Sequence, residues 1–372
     1  MRILHRRFST AGLVLTFWLM SACGRAVPDW TTLPIAPANA ELSASTAQFV
    51  ILDGPHLWAI ADFELHGEAL DILDGSDHTI SEYRKLADGS WRFATLIADA
   101  RQDEAMLRVA AAMSRAGTSL VVVGKDASVW QLGLGGKIIR SLRPDLGCVP
   151  QRPRVVALAG NTLLIAGACF DPDNVMREVL WRGTMDGGFV RIATEIRYSA
   201  DGNRGYLLAS THSLTPTGSG ALFGIGVANC LWAVDARATA PHRVCPLVKF
   251  AHRVGDPGEA AEHTLSAFRV RYRVGGRAFE WQPLLPVYVD HIEIDGTLVL
   301  ARRAGGDTVV LARATAERNE PPLVSGPAGT FVGCKTEGCL WFDPSTTVGR
   351  VSIVSTDSLV ALLRARAQPG AQ

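Results

Sequence analysis

Hydrophobic positions along this chain fall into short runs bounded by Gly, Asp, Pro and Ser. Phe49-Val50-Ile51-Leu52, Leu120-Val121-Val122-Val123, Leu163-Leu164-Ile165-Ala166, Ala221-Leu222-Phe223-Gly224 and Thr330-Phe331-Val332-Gly333 are examples. Runs of this length, rich in Val, Ile, Leu and aromatics, predict β-strands separated by tight turns. After each run comes a polar or small-residue turn, such as Gly54-Pro55 or Lys125-Asp126-Ala127-Ser128. A second strand follows, carrying an aliphatic residue and a tryptophan: Leu57-Trp58, Val129-Trp130, Leu180-Trp181, Leu231-Trp232 and Leu340-Trp341. Third strands are predicted at Lys137 to Leu142, Phe189 to Ile192 and Arg350 to Val354.

The pairs form a weak internal repeat. Trp130, Trp181 and Trp232 are spaced 51 residues apart, and the interval to Trp341 is about twice that. A unit without tryptophan fills the gap: His291 to Ile294, Leu298 to Ala301 and Val309 to Ala312, with turns at Asp295-Gly296 and Gly305-Gly306. A period of this length, with three or four strands each, predicts an all-β chain built as a β-propeller of six or seven blades. A single blade leaves both faces bare, so blades must cover one another. A large aromatic at a fixed place fills the gap between them, which gives Trp58, Trp130, Trp181, Trp232 and Trp341 a blade-packing role. A β-sandwich or a two-domain β protein is the alternative architecture.

Two segments break the β pattern. Met106, Leu107, Ala110 and Met113 stand at helical spacing within Asp103 to Ala116 and end at Gly117, which predicts a small helical insertion. Thr356-Asp357-Ser358 opens a short C-terminal helix, with Arg364 and Arg366 near its end, where cations suit the helix dipole. Phe268 to Val274 alternates apolar and arginine residues, and Gly275-Gly276 turns it back through Arg277 to Trp281. This predicts a hairpin with an arginine face, read as a solvated surface.

The N-terminus has a different pattern. Arg2, Arg6 and Arg7 precede an apolar run from Ala11 to Met20, and Met20-Ser21-Ala22-Cys23 follows. The run is short for a membrane span, which needs about 20 apolar residues, and fits a signal peptide. The segment resembles a bacterial lipoprotein signal, with Met20 where leucine is more usual. The resemblance implies cleavage before Cys23, lipidation of Cys23, and a body held on the extracytoplasmic side of a membrane. Gly24 stands where an aspartate often marks inner-membrane retention in such lipoproteins, which favours the outer membrane facing the periplasm. Residues 1–22 are thus expected to be the signal, 23–45 a Pro-, Ala- and Ser-containing flexible tether, and 46–372 the propeller-like domain.

Composition narrows the partners. Lys and Arg number 37 against 36 Asp and Glu. Removal of the three signal arginines leaves a slightly acidic body, which excludes a charge-driven nucleic-acid binder. Of seven cysteines, six remain once Cys23 is assigned to lipid. In an exported chain they predict three disulfides, most simply Cys148–Cys169, Cys230–Cys245 and Cys334–Cys339, although six cysteines allow other pairings. The absence of Cys-x-x-Cys and the scattered histidines argue against a metal site.

No catalytic or cofactor motif is present. Gly133-Leu134-Gly135-Gly136-Lys137 lacks the Ser or Thr of a phosphate loop and reads as a hairpin turn. Asp171-Pro172-Asp173-Asn174 has oxygen ligands that calcium would take, without the continuation of a calcium loop, and reads as a turn. Asp71, Asp74 and Asp77 near His78 read as turn chemistry. No cofactor is expected. The chain resembles periplasmic propeller lipoproteins in architecture, such as the accessory subunit of the outer-membrane barrel-assembly machine, without that subunit's repeat signature. This implies a non-enzymatic protein-binding or scaffold module whose partner is another envelope protein. The alternatives are a carbohydrate- or lipid-processing enzyme with an axial site, and an immunity protein against a secreted toxin.

Overall fold

The computed structural model describes residues 48–99, 108–133, 135–170, 176–192, 197–198, 204–208, 212–225, 231–236, 240–244, 270–274, 277–284, 288–305, 308–314, 322–327, 329–344 and 350–367. The signal, the tether, Cys23, the Asp171–Asn174 loop and the proposed Cys230–Cys245 pair lie outside them.

The strands run in chain order around a ring. β1 (Gln48–Asp53) comes first, and a blade follows from β2 (Ile60–His66), β3 (Ala69–Asp74), β4 (Thr79–Lys85) and β5 (Trp91–Asp99). The second blade is β6 (Ala110–Ala116), β7 (Ser119–Gly124), β8 (Val129–Leu132) and β9 (Ile138–Leu142). The third is β10 (Gln151–Leu158), β11 (Thr162–Phe170), β12 (Met176–Thr184) and β13 (Val190–Ile192), with the short β14 (Arg197–Tyr198) pairing on β12. β15 (Arg204–Leu208) leads to the fourth blade: β16 (His212–Pro216), β17 (Gly220–Ile225), β18 (Leu231–Asp235) and β19 (His242–Val244). The hairpin of β20 (Val270–Val274) and β21 (Arg277–Leu284) pairs with β15 as a small extra sheet. The fifth blade has β22 (Tyr288–Ile294), β23 (Thr297–Gly305) and β24 (Thr308–Arg313), and the sixth has β25 (Thr330–Lys335), β26 (Gly338–Asp343) and β27 (Arg350–Ser355). Helix α1 (Thr356–Ala367) follows directly.

Two observations make this a six-bladed propeller. The first strands of the blades touch in sequence and close: β2 on β6, β6 on β10, β10 on β16, β16 on β22, β22 on β25, and β25 back on β2. Six apolar clusters then fill the six spaces between blades. Val121 and Val123 face Leu163, Ile165 and Trp181, while Leu120 and Val122 on the same strand face Leu73 and Ile80 of the first blade. Leu164 and Ala166 turn instead to Phe223 and Trp232. Leu222 and Leu231 meet Leu300, and Ile292 and Val299 meet Trp341 and Leu359 of the helix. Phe63, Leu70 and Ile72 meet Leu340, Phe342 and Val351. Side chains of a strand alternate between faces, so one apolar run serves two neighbouring cores. This is why the runs are almost continuously hydrophobic.

β1 closes the ring. It pairs antiparallel with β27, Gln48 opposite Ile353 and Ile51 opposite Arg350, and becomes the outer strand of the last blade. Leu52 and Asp53 also pair with Trp91 and Arg92 of β5, joining the first and last blades into an eight-stranded sheet.

The repeat needs two corrections. The run Phe49–Leu52 is the closing strand of the last blade, so Leu57-Trp58 lies in the loop before β2 and belongs to no blade unit. Trp341 lies on the second strand of its blade, whereas Trp130, Trp181 and Trp232 lie on third strands. The second half of the expected helical insertion is also corrected, while its first half, residues 103–107, lies outside the described residues. Ala110–Ala116 is the inner strand β6, with Ala112 and Met113 fully buried. Helix formers occupy it because inner strands crowd at the axis, where alanine fits, and packing overrides propensity. The C-terminal helix, the β20–β21 hairpin and the three-stranded fifth blade occur where the pattern predicts them. Gly133 to Lys137 is the β8–β9 turn, closed by the Gly133 N–H to the Lys137 carbonyl at 2.9 Å. Gly136 has φ +77°, and a Cβ there would collide with the Ile97 carbonyl of the first blade.

Candidate functional site

The inner strands carry charge into the axis. Five of the six show a register shift against their second strand, at Ile60/Asp62, Ala110/Ala112, Gln151/Arg154, Tyr288/Asp290 and Phe331/Gly333. Such bulges re-aim side chains and bend the strand. Asp62 and Asp290 both follow one. Asp62 accepts the N–H of Phe63 and, across the blade boundary, the N–H of Met113 at 2.9 Å. Asp290 repeats this, accepting the N–H of His291 at 2.9 Å and that of Cys334 in the next blade at 2.7 Å. Each aspartate therefore staples its inner strand to the next.

Lys335 completes the cluster. It is 7% exposed. Its Nζ lies 3.1 Å from Asp62 Oδ1 and 3.3 Å from Glu64 Oε1, and it donates to the Met113 carbonyl at 3.1 Å. Three acceptors meet its three N–H groups. Arg154 Nη1 stands 3.9 Å from Asp62. Burial alone would lower the Lys335 pKa, but Asp62 and Glu64 outweigh it and hold the ammonium charged. Three carboxyls share two cations, and the excess shows. Burial raises Glu64 against the pull of Lys335. Burial likewise raises Asp290 to about 6, opposed by Arg154, by its two backbone donors and by Lys335. The cluster can hold a proton near neutral pH, while its geometry clamps five strands of the ring.

His291 is fully buried. Its Nδ1 lies 2.7 Å from Ser213 Oγ, and Thr215 donates to its carbonyl at 3.1 Å, tying the fourth blade to the fifth. Burial pushes its pKa down to about 4. A second ion network joins the first two blades. Asp71, fully buried, lies 3.0 Å from both His66 Nε2 and Arg115 Nη2, and Arg115 stands 3.9 Å from Glu82.

The expected site residues are distributed differently. Trp181, Trp232 and Trp341 are buried between blades, and Trp181 donates its indole N–H to the Leu146 carbonyl at 3.1 Å. Trp130 is half-buried against the core of the first two blades. Trp58 does not pack between blades: it is 59% exposed, because its loop turns Leu57 inward to the core and Trp58 outward. The Trp58 backbone N–H is held by Asp74 at 2.9 Å, and its ring meets His56 edge-on, with centroids 4.2 Å apart. Asp74 also accepts the N–H groups of Ser76 and Asp77, which is the turn chemistry expected there. Asp71 joins the ion network instead, so Asp71, Asp74 and Asp77 form no shared carboxylate site. Cys148–Cys169 and Cys334–Cys339 are bonded. Among the described residues no group of three His, Cys, Asp or Glu side chains is arranged to hold a metal ion, and no helix is long and apolar enough to cross a membrane.

Sequence reasoning missed Asp62, Glu64, Arg154, Asp290, His291 and Lys335. The signal was a charged residue inside otherwise apolar strands, as in Ile60-Ala61-Asp62-Phe63-Glu64-Leu65 and Cys334-Lys335.

No protein-family model and no curated protein matches this chain. Solved structures with a similar course include a calcium-binding protein, regucalcin, from Agrobacterium tumefaciens, at 11% identity and TM-score 0.45. That match covers 83% of this chain and 94% of the other. YCF48 bound to a D1 peptide matches at 14% identity and TM-score 0.44, covering 87% of this chain and 99% of the other. A putative gluconolactonase matches at 11% identity and TM-score 0.45, covering 84% and 93%. The propeller assignment rests on the closed ring of inner strands and its six cores.

Proposed function

We propose that this protein is a lipid-anchored propeller of the cell envelope that binds another envelope protein through the face carrying Trp58. In each blade the first hairpin turn lies on one face and the second on the other. β1 enters at Gln48, beside Ile353 and the start of α1, on the face of the first hairpin turns. A tether leading back to Cys23 leaves from there. The opposite face, with Trp58 and the Asp74–Asp77 turn, then points away from the membrane. The observation that carries the reading is Trp58 itself. A large aromatic held by its backbone, braced by His56 and left 59% exposed is the kind of residue that anchors interfaces. The axial charges, by contrast, are already engaged with one another.

Crosslinking in living cells, followed by recovery of the tagged full-length chain from the membrane fraction, tests this. One recurrent partner near equal stoichiometry is expected, and Trp58→Ala should lose it while the body stays folded. Cys23→Ala should move the body to the soluble fraction. Membrane retention of the Cys23 variant, or capture unchanged by Trp58→Ala, would overturn the reading.

A further inference from the structure

The two ion networks meet on the first blade. Glu64 on β2, Asp71 on β3 and Glu82 on β4 are register partners, Glu64 opposite Asp71 and Asp71 opposite Glu82. Residues directly opposite on one face of an antiparallel sheet have Cβ atoms about 4.5–5.5 Å apart. The three carboxyls therefore stand in a row, from the axis outward. Asp71 is fully buried, and both of its cations use one oxygen: His66 Nε2 and Arg115 Nη2 each lie 3.0 Å from Oδ2. Its other oxygen, Oδ1, is buried with no hydrogen-bond partner among the described residues. Glu64 is just as one-sided. Its Oε1 faces Lys335 Nζ at 3.3 Å, and its Oε2 makes no hydrogen bond among the described residues. Two neighbouring carboxyls thus each keep one oxygen in want of a donor.

The surrounding charges are engaged elsewhere. Lys335 also serves Asp62, Arg84 bonds Glu82 at 2.7 Å, Arg115 is held at Asp71 Oδ2, and Arg154 stands by Asp62. A buried acceptor without a donor is costly. A water between the two oxygens would satisfy them but leave two carboxylates charged side by side, which like charges disfavour. A proton on one of them removes both costs. We propose that Glu64 and Asp71 share one proton, with a Glu64 carboxylic acid donating to Asp71 Oδ1, and that this proton is a pH-sensitive lock on the ring closure. Burial pushes the Glu64 carboxyl up; Lys335 pulls it down, and Asp62 and Asp71 push it up again. The pair stands where three blades join, since Lys335 ties Glu64 to the last blade and Arg115 ties Asp71 to the second. His66, with its side chain 27% exposed and its Nε2 on Asp71, links the pair to solvent. The lock is independent of the lipid anchor and of the Trp58 face.

The sign follows from linkage. A carboxyl raised in the folded state stabilises the fold fully below its ordinary 4.5, and that stability is lost as pH rises through the raised value. Glu64→Gln puts an amide N–H against Asp71 Oδ1 at every pH and so copies the locked state. On the full chain, the urea midpoint of Glu64→Gln relative to wild type should therefore climb as pH rises above 4.5. Asp290 and His291 titrate in both proteins and drop out of the difference. Infrared spectra at neutral pH should show a protonated carboxyl band in wild type that Glu64→Gln loses. Should that variant fail to fold, carboxyl-carbon NMR of the wild type decides, with Glu64 expected to titrate above 4.5. A midpoint difference that stays constant with pH, no carboxyl band lost in Glu64→Gln, or titration of Glu64 at or below its ordinary value would each overturn the proposal.

Discussion

Lys335 in the last blade and Asp62 in the first are ion-paired at 3.1 Å, and both are almost wholly buried. Together they bind the beginning of the ring to its end at the axis, as β1 does at the perimeter. Lys335→Met would leave Asp62 and Glu64 buried without their cation, and removal of one partner of such a pair costs about 3–5 kcal/mol. Adding Glu64→Gln to that variant should recover part of the loss. Urea titration followed by tryptophan fluorescence measures both. Equal midpoints for wild type and Lys335→Met would show that the pair holds nothing.

Asp290 and His291 are neighbours that titrate in opposite senses. As pH falls below 6.5, the unfolded chain protonates this histidine while the folded one, held at about 4, does not, so stability is lost. The folded carboxyl of Asp290 takes its proton near 6, well before the ordinary 3.8, so stability is gained over the same window. Each effect is about 3 kcal/mol, and they nearly cancel between pH 6 and 4. Asp290→Asn should therefore lose stability more steeply than wild type on acidification, and His291→Gln should gain relative to it. Parallel pH profiles of the urea midpoint in all three proteins would refute this.

The two disulfides close loops of different length. Cys148–Cys169 spans 21 residues and Cys334–Cys339 spans 5. Loop-closure entropy assigns about 3 kcal/mol to the first and about 2 to the second. Double Cys→Ser variants should rank accordingly in thermal melts, and the reverse ranking would mean that strain or local packing dominates.

Trp232 and Trp58 should respond oppositely to truncation. Trp232 is 4% exposed between the third and fourth blades, and Trp232→Ala should cost about 3–5 kcal/mol. Trp58→Ala, at the surface, should stay within about 0.5 kcal/mol. Chemical denaturation of the two variants side by side checks both values.

Much of this architecture was legible in the chain because its strands obey a local rule. Runs such as Leu163 to Ala166 pair apolar residues with turn residues at fixed intervals, and that pattern depends only on neighbours in sequence. The fifth blade, which lacks tryptophan, could be read in the same way, as could helix α1 from Thr356 and its terminal arginines. Local composition misled at Ala110–Ala116, where helix formers line a crowded axis. It also misled at Phe49 to Leu52, whose partners on β27, Ser352, Val351 and Arg350, are hundreds of residues away.

The sequence by itself determined the blade as a unit and the face-to-face burial of its strands, and it offered Cys148–Cys169 and Cys334–Cys339 as the simplest of several pairings, which the fold then selected. Tertiary structure alone decided the blade number, the closing strand, the exposure of Trp58 and the axial cluster. The physical reason is range. A strand and its turn are set by steric preference and by burial of alternate residues, which neighbours in the chain carry. Asp62, Lys335 and Met113 meet only when six blades close a circle, and a lone charge inside an apolar strand carries no record of the partner that will neutralise it.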